Sequence, residues 1–298
     1  MEASVIADNK PQAETMPAVE NAFAEAARMF LRNKSAVLGL VLLLIIVATA
    51  FGGPLLYPVD PFDIVWAPFA PPGEEGMWLG TDYLGRDILA GIIHGAKGTL
   101  AVGGAAAFCT VVIGVLFGAL AGFYGRWVDN LLMRITEFFQ VLPPLLFAMV
   151  LVTLFSPNLV TIAVSIGLVS WPGVARLTRG EFLRIREMEY VLAARSIGAK
   201  NLRIIWRVIL PGAIPPLIVT ATLIIGVAIL FEAGLSYLGL SDPNIMSWGY
   251  MIGSSRDYIF ECWWAVTFPG LAIFLTVLSV SLVGDGLTDA FNPKLRQL

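Results

Sequence analysis

The segment from Glu189 to Pro216 reads EYVLAARSIGAKNLRIIWRVILPGAIPP and lies between apolar runs that are long enough to cross a membrane. Four of its residues recur at i, i+3, i+4 and i+7 and therefore share one helix face. They are Tyr190, Ala193, Ala194 and Ile197. This spacing predicts a helix over 189–200, with Arg195 on another face. A charged amphipathic segment in an otherwise apolar chain indicates a docking surface outside the bilayer.

The chain beyond this helix carries a stop signal and a second amphipathic pattern. Gly198 is the predicted end of the first helix, because glycine tolerates the left-handed conformation that terminates helices. Asn201 is the expected cap of a second helix. The apolar residues of that second helix repeat the helical spacing, and they are Leu202, Ile205, Trp206 and Ile209. Pro211 is expected to close it.

The composition predicts an all-α polytopic membrane protein. Hydrophobic residues make up 57% of the 298 residues, charged residues only 14%, and the mean hydropathy is +0.80, values far from those of a soluble domain. A membrane helix needs roughly 20 apolar residues. Six runs meet this requirement, at 36–56, 99–122, 137–155, 159–176, 213–234 and 264–284.

The placement of charge predicts the orientation of these six spans. Most cationic residues fall in the segments on one side: Arg28, Arg32, Lys34, Arg126, Arg134, Arg176, Arg179, Arg184, Arg186, Arg195, Lys200, Arg203, Arg207, Lys294 and Arg296. The positive-inside rule assigns that side to the cytoplasm. Both termini and a loop at 177–212 are therefore predicted to be cytoplasmic, and a more acidic loop at 57–98 is predicted to be external.

The N-terminal region divides into two parts before the first span. Residues 1–20 carry few large apolar groups, so we expect them to be disordered. Residues 21–35 have an apolar face and a charged face, which predicts a helix lying in the membrane interface. The remainder, 36–298, forms the predicted transmembrane domain.

The chain lacks the residue clusters that enzymes and metal sites need. His94 is the only histidine, Cys109 and Cys262 lie at different predicted depths and are interpreted as free thiols, and no glycine-rich phosphate loop occurs. We therefore expect no catalytic activity, cofactor, metal ion or nucleic-acid partner. Energy for any transport has to come from another chain.

The second half of the external loop has its own pattern. Residues 78–88 read WLGTDYLGRDI, in which Asp82 and Asp87 flank Arg86 closely enough to predict local ion pairs. Gly80 and Gly85 permit tight turns. The pattern, which includes Thr81, predicts a structured outer loop.

Four motifs resemble those of importer-type ATP-binding cassette (ABC) permeases. The segment at 189–216 resembles the EAA loop of that family, and the match comprises Ala193, Ala194, Gly198, Ile209, Leu210 and Pro211. Leu192 stands at the usual acidic position, and Val208 stands where relatives often carry histidine. The stretches at 78–88, 122–129 and 284–294 are similar to signatures of the dipeptide, oligopeptide and nickel permease subfamily. Thr288 and Asn292 depart from the last signature.

The resemblance implies a type I ABC importer permease fold with six spans and a cytoplasmic EAA coupling loop. It implies a second homologous permease, two cytoplasmic ATP-binding subunits that bind the ATP, an external or periplasmic substrate-binding protein and the lipid of a bacterial inner membrane. The implied ATPase-coupling residues are Glu189, Tyr190, Ala193, Ala194, Arg195, Ile197, Gly198 and Pro211. The implied outer-loop residues are Gly80, Thr81, Asp82, Gly85, Arg86 and Asp87. Substrate-binding residues are not identified, and peptides are the implied substrate class.

Two other functions remain open from the residues alone. An ion-driven secondary carrier acting alone would need charged or unwound sites at mid-membrane. Pro143 and Pro144 predict a break in the third span, yet Glu137, Asp285 and Glu232 lie near span ends and are interpreted as structural. A non-transporting scaffold that recruits cytoplasmic partners is the third hypothesis.

Overall fold

The chain is an all-helical bundle in the computed structural model, which describes residues 22–291. In chain order the helices are α1 (Ala22–Arg32), α2 (Lys34–Leu56), α3 (Ile88–Tyr124), α4 (Arg126–Val141), α5 (Pro144–Phe155), α6 (Leu159–Arg186), α7 (Glu189–Ser196), α8 (Asn201–Ile204), α9 (Leu210–Tyr237), α10 (Trp248–Ser255) and α11 (Trp264–Phe291). The predicted disordered segment at 1–20 and the end of the last motif lie outside the described residues.

Within the described residues, five helical stretches are long and apolar enough to cross a membrane, and α4 with α5 makes a sixth if the pair is one span. The two helices meet at 88°, so the predicted break in the third span is confirmed, although α4 begins at Arg126 rather than at the predicted residue 137. Pro143 leaves the helical conformation, with φ −59° and ψ 117°. The reason is steric, because a residue that precedes a proline, here Pro144, is disfavoured in the α region.

The second span begins well before the predicted residue 99. Helix α3 starts at Ile88, where the Asp87 carboxylate accepts a hydrogen bond of 2.8 Å from the Leu89 N–H. The external loop therefore ends at residue 87 rather than 98, and His94 and Lys97 lie on the helix. The hydropathy pattern missed this first part because glycines and polar residues interrupt it.

The second amphipathic helix of the 177–212 loop is not closed by Pro211. Residues 201–237 instead form one helical stretch of 37 residues, in which a π turn at Ile205–Ile209 joins α8 to α9. Proline has no N–H to donate, and a π turn just before it changes the bonding register where that donor is missing. The predicted cap is also wrong, since Lys200 precedes the first helical residue and Asn201 lies inside α8.

Helices α3 and α6 pack with their backbones close together. Gly114, Gly118 and Gly122 recur every four residues on α3, and a methyl group at any of them would overlap α6. At Gly122, for example, the added carbon would lie 2.6 Å from the Cβ of Phe182. Small residues at this spacing are how membrane helices approach closely. The same repeat is readable in the sequence.

Two buried clusters lie at opposite ends of the 201–237 helix. One surrounds α7 and includes Phe182, Ile185, Val191 and Ile209. The other surrounds α10 and includes Trp248, Met251, Cys262 and Trp264. These clusters hold the two regions that the sequence singled out, the EAA-like loop and the external loop.

Candidate functional site

Helix α7 and the turn after it, residues 189–200, form a surface that we call the coupling surface. Helix α7 ends at Ser196, earlier than the predicted residue 200. Gly198 then adopts φ +80°, a left-handed conformation. Its N–H bonds the Arg195 carbonyl at 2.9 Å, and the Ala199 N–H bonds the Ala194 carbonyl at 3.1 Å. This is a Schellman motif, which satisfies the last carbonyls of the helix.

The coupling surface exposes apolar side chains. Ile197 is 86% exposed, Tyr190 50% and Leu192 46%. Ala193 is also exposed, and Ala194 is half-buried. The four residues of the predicted docking face are thus accessible, and Leu192, which the helical pattern left out, joins them. Exposed apolar side chains grouped on one short helix are typical of a protein-binding surface.

Two side chains fasten α7 to the bundle. Val191 is fully buried and packs in the cluster that includes Phe182 and Ile185. The guanidinium carbon of Arg195 lies 5.3 Å from the centre of the Phe123 ring on α3, a cation–π contact. Sequence analysis placed Arg195 on a different face from the docking residues, and in the structure its guanidinium contacts the bundle. The position of α7 is therefore defined relative to α3 and α6.

The outer loop, residues 57–87, is built on its two glycines. Gly80 has φ +81° and Gly85 has φ +85°. A methyl group on Gly80 would lie 2.5 Å from the Ala70 carbonyl oxygen, and one on Gly85 would overlap the Trp66 carbonyl oxygen. Both positions need glycine for conformation and for space. The sequence-based prediction of tight turns identified the right residues.

Thr81 lies at the centre of the same loop and is fully buried. Its hydroxyl donates to the Ala67 carbonyl at 2.8 Å and accepts from the Ala70 N–H at 2.9 Å. Its own carbonyl accepts a 2.9 Å hydrogen bond from the Trp264 indole on α11. The loop is thereby joined to the start of the last helix.

The predicted ion pairs of Arg86 with its flanking carboxylates are not formed among the described residues. Asp82 instead accepts backbone hydrogen bonds from Leu84 at 2.8 Å and Arg86 at 2.9 Å. Asp87 caps α3 and accepts a 2.5 Å bond from the Tyr57 hydroxyl. Both carboxylates accept hydrogen bonds from the backbone, because unpaired N–H groups in a tight turn or at a helix start need acceptors.

The Arg86 side chain points to α10 and the start of the loop. One terminal nitrogen donates to the Tyr250 hydroxyl at 3.2 Å, and the guanidinium carbon lies 5.4 Å from the centre of the Phe62 ring. Burial raises the pKa of Asp82 above its ordinary value, although hydrogen bonds from the loop backbone oppose this shift. Burial and the bond to Asp87 raise the pKa of Tyr57 to about 12, so this phenol stays protonated at neutral pH.

Sequence reasoning missed a buried polar cluster at the external-loop end of α9. Glu232 is 2% exposed, and one carboxylate oxygen accepts hydrogen bonds from Ser247 at 2.8 Å and Ser236 at 2.9 Å. The sequence placed Glu232 near a span end and interpreted it as structural. The signal that could have identified its partner was Ser247, because serine is a typical helix cap and here it caps α10.

The described residues contain no group of three or more His, Cys, Asp or Glu side chains able to hold a metal ion. Cys109 and Cys262 are free thiols, as predicted. The described residues thus form an exposed apolar surface on α7, a braced outer loop and a bundle of long apolar helices.

Comparison with known proteins decides the family. Residues 114–297 match the family model described as the binding-protein-dependent transport system inner membrane component. This chain belongs to that family. Residues 21–72 also match the N-terminal transmembrane domain of oligopeptide transport permease C. The chain is thus an ABC transporter permease component, as the four motifs predicted.

Several relatives of this permease component are similar along nearly their whole length. The di/tripeptide transport system permease protein DppC of Pseudomonas aeruginosa is 39% identical over 295 residues, 97% of each chain. The dipeptide transport system permease protein DppC of Alkalihalophilus pseudofirmus is 37% identical over 294 residues, 97% of this chain and 95% of the relative.

The fold of the permease component is that of a type I importer permease. A chain of the MetNI methionine ABC transporter, solved in an inward-facing conformation, superposes with a TM-score of 0.58. The superposition covers 69% of this chain and 98% of that chain, at 20% identity. The prediction of fold class is confirmed.

Proposed function

We propose that this chain is the transmembrane subunit of an ATP-driven importer of dipeptides or oligopeptides. It forms the pathway with a second, homologous permease and is coupled to two cytoplasmic ATPases. The observation that carries this proposal is the similarity to peptide permeases over 97% of the chain. The chain itself hydrolyses no ATP in this scheme, because the ATPases supply that chemistry.

The distribution of charge supports one orientation of the bundle. The coupling surface and its flanking helices carry Arg184, Arg186, Arg203 and Arg207, and such clusters stay on the cytoplasmic side of a bacterial inner membrane. The outer loop then faces the external binding protein. Both termini are cytoplasmic under this assignment.

The coupling surface is proposed to enter a groove on one ATPase. Tyr190, Leu192 and Ile197 supply exposed apolar contacts, and Val191 and Arg195 fix the helix to the bundle. A helix can transmit force only when both of its ends are defined, and here Gly198 defines the second end. Closure of the ATPases around ATP would then move the bundle toward its outward-facing state.

The proposal is tested by copurification and uptake. The tagged chain is extracted from its native membrane in mild detergent, and partners are identified by mass spectrometry, with a known importer as the control for complex survival. We expect a second permease, ATPases and loss of dialanine uptake when this subunit alone is deleted. Uptake that continues without any ATPase would favour the ion-driven carrier, and normal uptake after deletion would favour the scaffold.

A further inference from the structure

A single buried carboxylate connects two elements at the external-loop end of the bundle. Glu232 lies on α9, and Ser247 is the residue that caps α10. The Ser247 hydroxyl donates to Glu232 at 2.8 Å and accepts from the Tyr250 N–H at 3.0 Å. The second carboxylate oxygen of Glu232 is buried and has no hydrogen-bond partner among the described residues. Burial of a carboxylate with so few hydrogen bonds costs free energy, so its presence here indicates a specific role.

Helix α10 carries a glycine at the point where it contacts the Glu232 carboxylate. A methyl group on Gly249 would lie 2.6 Å from one Glu232 oxygen and 2.7 Å from the other, so the carboxylate rests against the first turn of α10. One turn further along, Gly253 gives the same close approach to the Ser236 carbonyl. The two helices therefore pack through two glycines opposite two polar residues of α9, and α10 follows α9 if α9 moves.

The other faces of α10 contact α3 and the outer loop. The Trp248 N–H donates to the Thr99 hydroxyl at 3.0 Å, which joins α10 to α3. The Tyr250 hydroxyl accepts from Arg86 of the outer loop at 3.2 Å. A shift of α10 would therefore be transmitted directly to the outer loop at Arg86.

The opposite end of the same helix begins at the coupling surface. The helical stretch that carries Glu232 starts at Asn201, three residues after Gly198, and continues for 37 residues. At 1.5 Å per residue this is about 55 Å, enough to cross the whole bilayer. One continuous helix thus lies between the surface proposed for the ATPase and the elements that hold the outer loop.

We infer that Glu232 is a positioning residue that links the ATPase-driven movement of α9 to α10 and the outer loop. The inference rests on the proposed function. In one direction, movement of the coupling surface shifts α10 and reshapes the site for the external binding protein. In the other direction, a shift of the outer loop on docking of the binding protein is transmitted through α10 and α9 to the ATPases. Such coupling is reciprocal, because each ligand changes the affinity of the other by the same factor.

The test uses the complete complex of both permeases and both ATPases in lipid nanodiscs, with the binding protein saturated with dialanine. The measured quantity is the ratio of stimulated to basal ATPase rate. We expect Glu232→Ala to lower this ratio at least about fivefold, the lower end of typical coupling factors. The basal rate stays unchanged. Glu232→Gln retains most of the stimulation, because both serines donate to one oxygen that an amide can replace.

Matched variants separate positioning from folding. Ser247→Ala removes the bond between helices, whereas Ser236→Ala removes a bond within α9, so only the first should lower the ratio. Gly249→Ala displaces the carboxylate and should reproduce Glu232→Ala. Gly270→Ala, where a methyl group meets no atom within 4 Å, is its control.

The outcomes distinguish this inference from the function on which it rests. If the wild-type complex shows no stimulation by the loaded binding protein, the proposed function is wrong. If the wild type is stimulated and Glu232→Ala is stimulated equally, the inference is overturned. It is also overturned if Ser236→Ala and Ser247→Ala give the same loss, or if basal and stimulated rates fall in proportion.

Discussion

Replacing Gly198 should weaken coupling between ATP hydrolysis and transport without unfolding the bundle. This residue holds φ +80° in the turn that ends α7, and an added methyl group would meet no atom within 4 Å. Gly198→Ala therefore carries only the backbone penalty of the left-handed conformation, about 1–2 kcal/mol. An energy of that size changes the ratio of ordered to disordered turn by roughly 5–30-fold. The coupling surface is then correctly formed in fewer molecules.

The assay is dialanine uptake and ATP hydrolysis by the reconstituted complex, expressed as peptides imported per ATP. Gly198→Ala should lower this number, and Gly198→Asn should lower it less because asparagine tolerates the left-handed region. Gly198→Asp has nearly the shape of asparagine but adds a charge to the docking surface, so we expect it to uncouple more strongly. The control is Gly180→Ala on α6, where the helix is regular and no atom lies within 4 Å. Wild-type stoichiometry in Gly198→Ala, or equal loss in the control, would refute the argument.

Three further predictions concern the scaffold around the two surfaces. Gly85→Ala should lower the melting temperature of the purified complex more than Gly76→Ala, since both have positive φ but only the former meets a backbone oxygen, an overlap worth about 1–3 kcal/mol. Equal shifts of the melting temperature would show that the positive φ, and not the overlap with the backbone oxygen, causes the loss of stability. Cys262 is fully buried, and burial together with nearby acids raises its pKa to about 11. Its thiolate is thus available only as the pH approaches that value, so maleimide labelling at pH 7.5 should be slow in the folded complex and rapid after denaturation; fast native labelling contradicts this. Asp129→Asn should destabilise the contact of α4 with α6, because Arg179 bonds both carboxylate oxygens, at 2.5 and 2.7 Å. We expect the free energy of unfolding in denaturant to fall by about 1–3 kcal/mol. Arg179→Lys should also lower it. An unchanged free energy of unfolding would show that solvent screens the pair.

The local features that sequence reasoning predicted correctly depend on short-range chemistry. Gly198 takes the left-handed conformation because any helix that ends in this way favours glycine there. Gly80 and Gly85 form tight turns in the outer loop, because their positive φ values also favour glycine. Five of the long apolar runs became continuous helices, since the bilayer requirement acts on composition and length.

The sequence-based predictions failed where helix packing or residues far away in the sequence determine the local structure. Pro211 was expected to end a helix, but a π turn carries the helix through it. Arg86 was expected to pair with its neighbours in sequence, yet its partner is Tyr250, more than a hundred residues away. The start of α3 was missed because polar and glycine residues lower its hydropathy, although α10 packs against those same glycines.

The sequence by itself determined that this chain is a helical membrane protein, because hydropathy, charge placement and turn glycines are local properties. Its motifs predicted the permease family by resemblance. Only the tertiary structure decided that one helical stretch, 201–237, runs from the coupling surface to Glu232, and that this carboxylate meets Ser247, the cap of α10, and Gly249 on α10. Those contacts depend on how helices approach one another in three dimensions, and spacing along a single chain does not encode that approach in any local pattern.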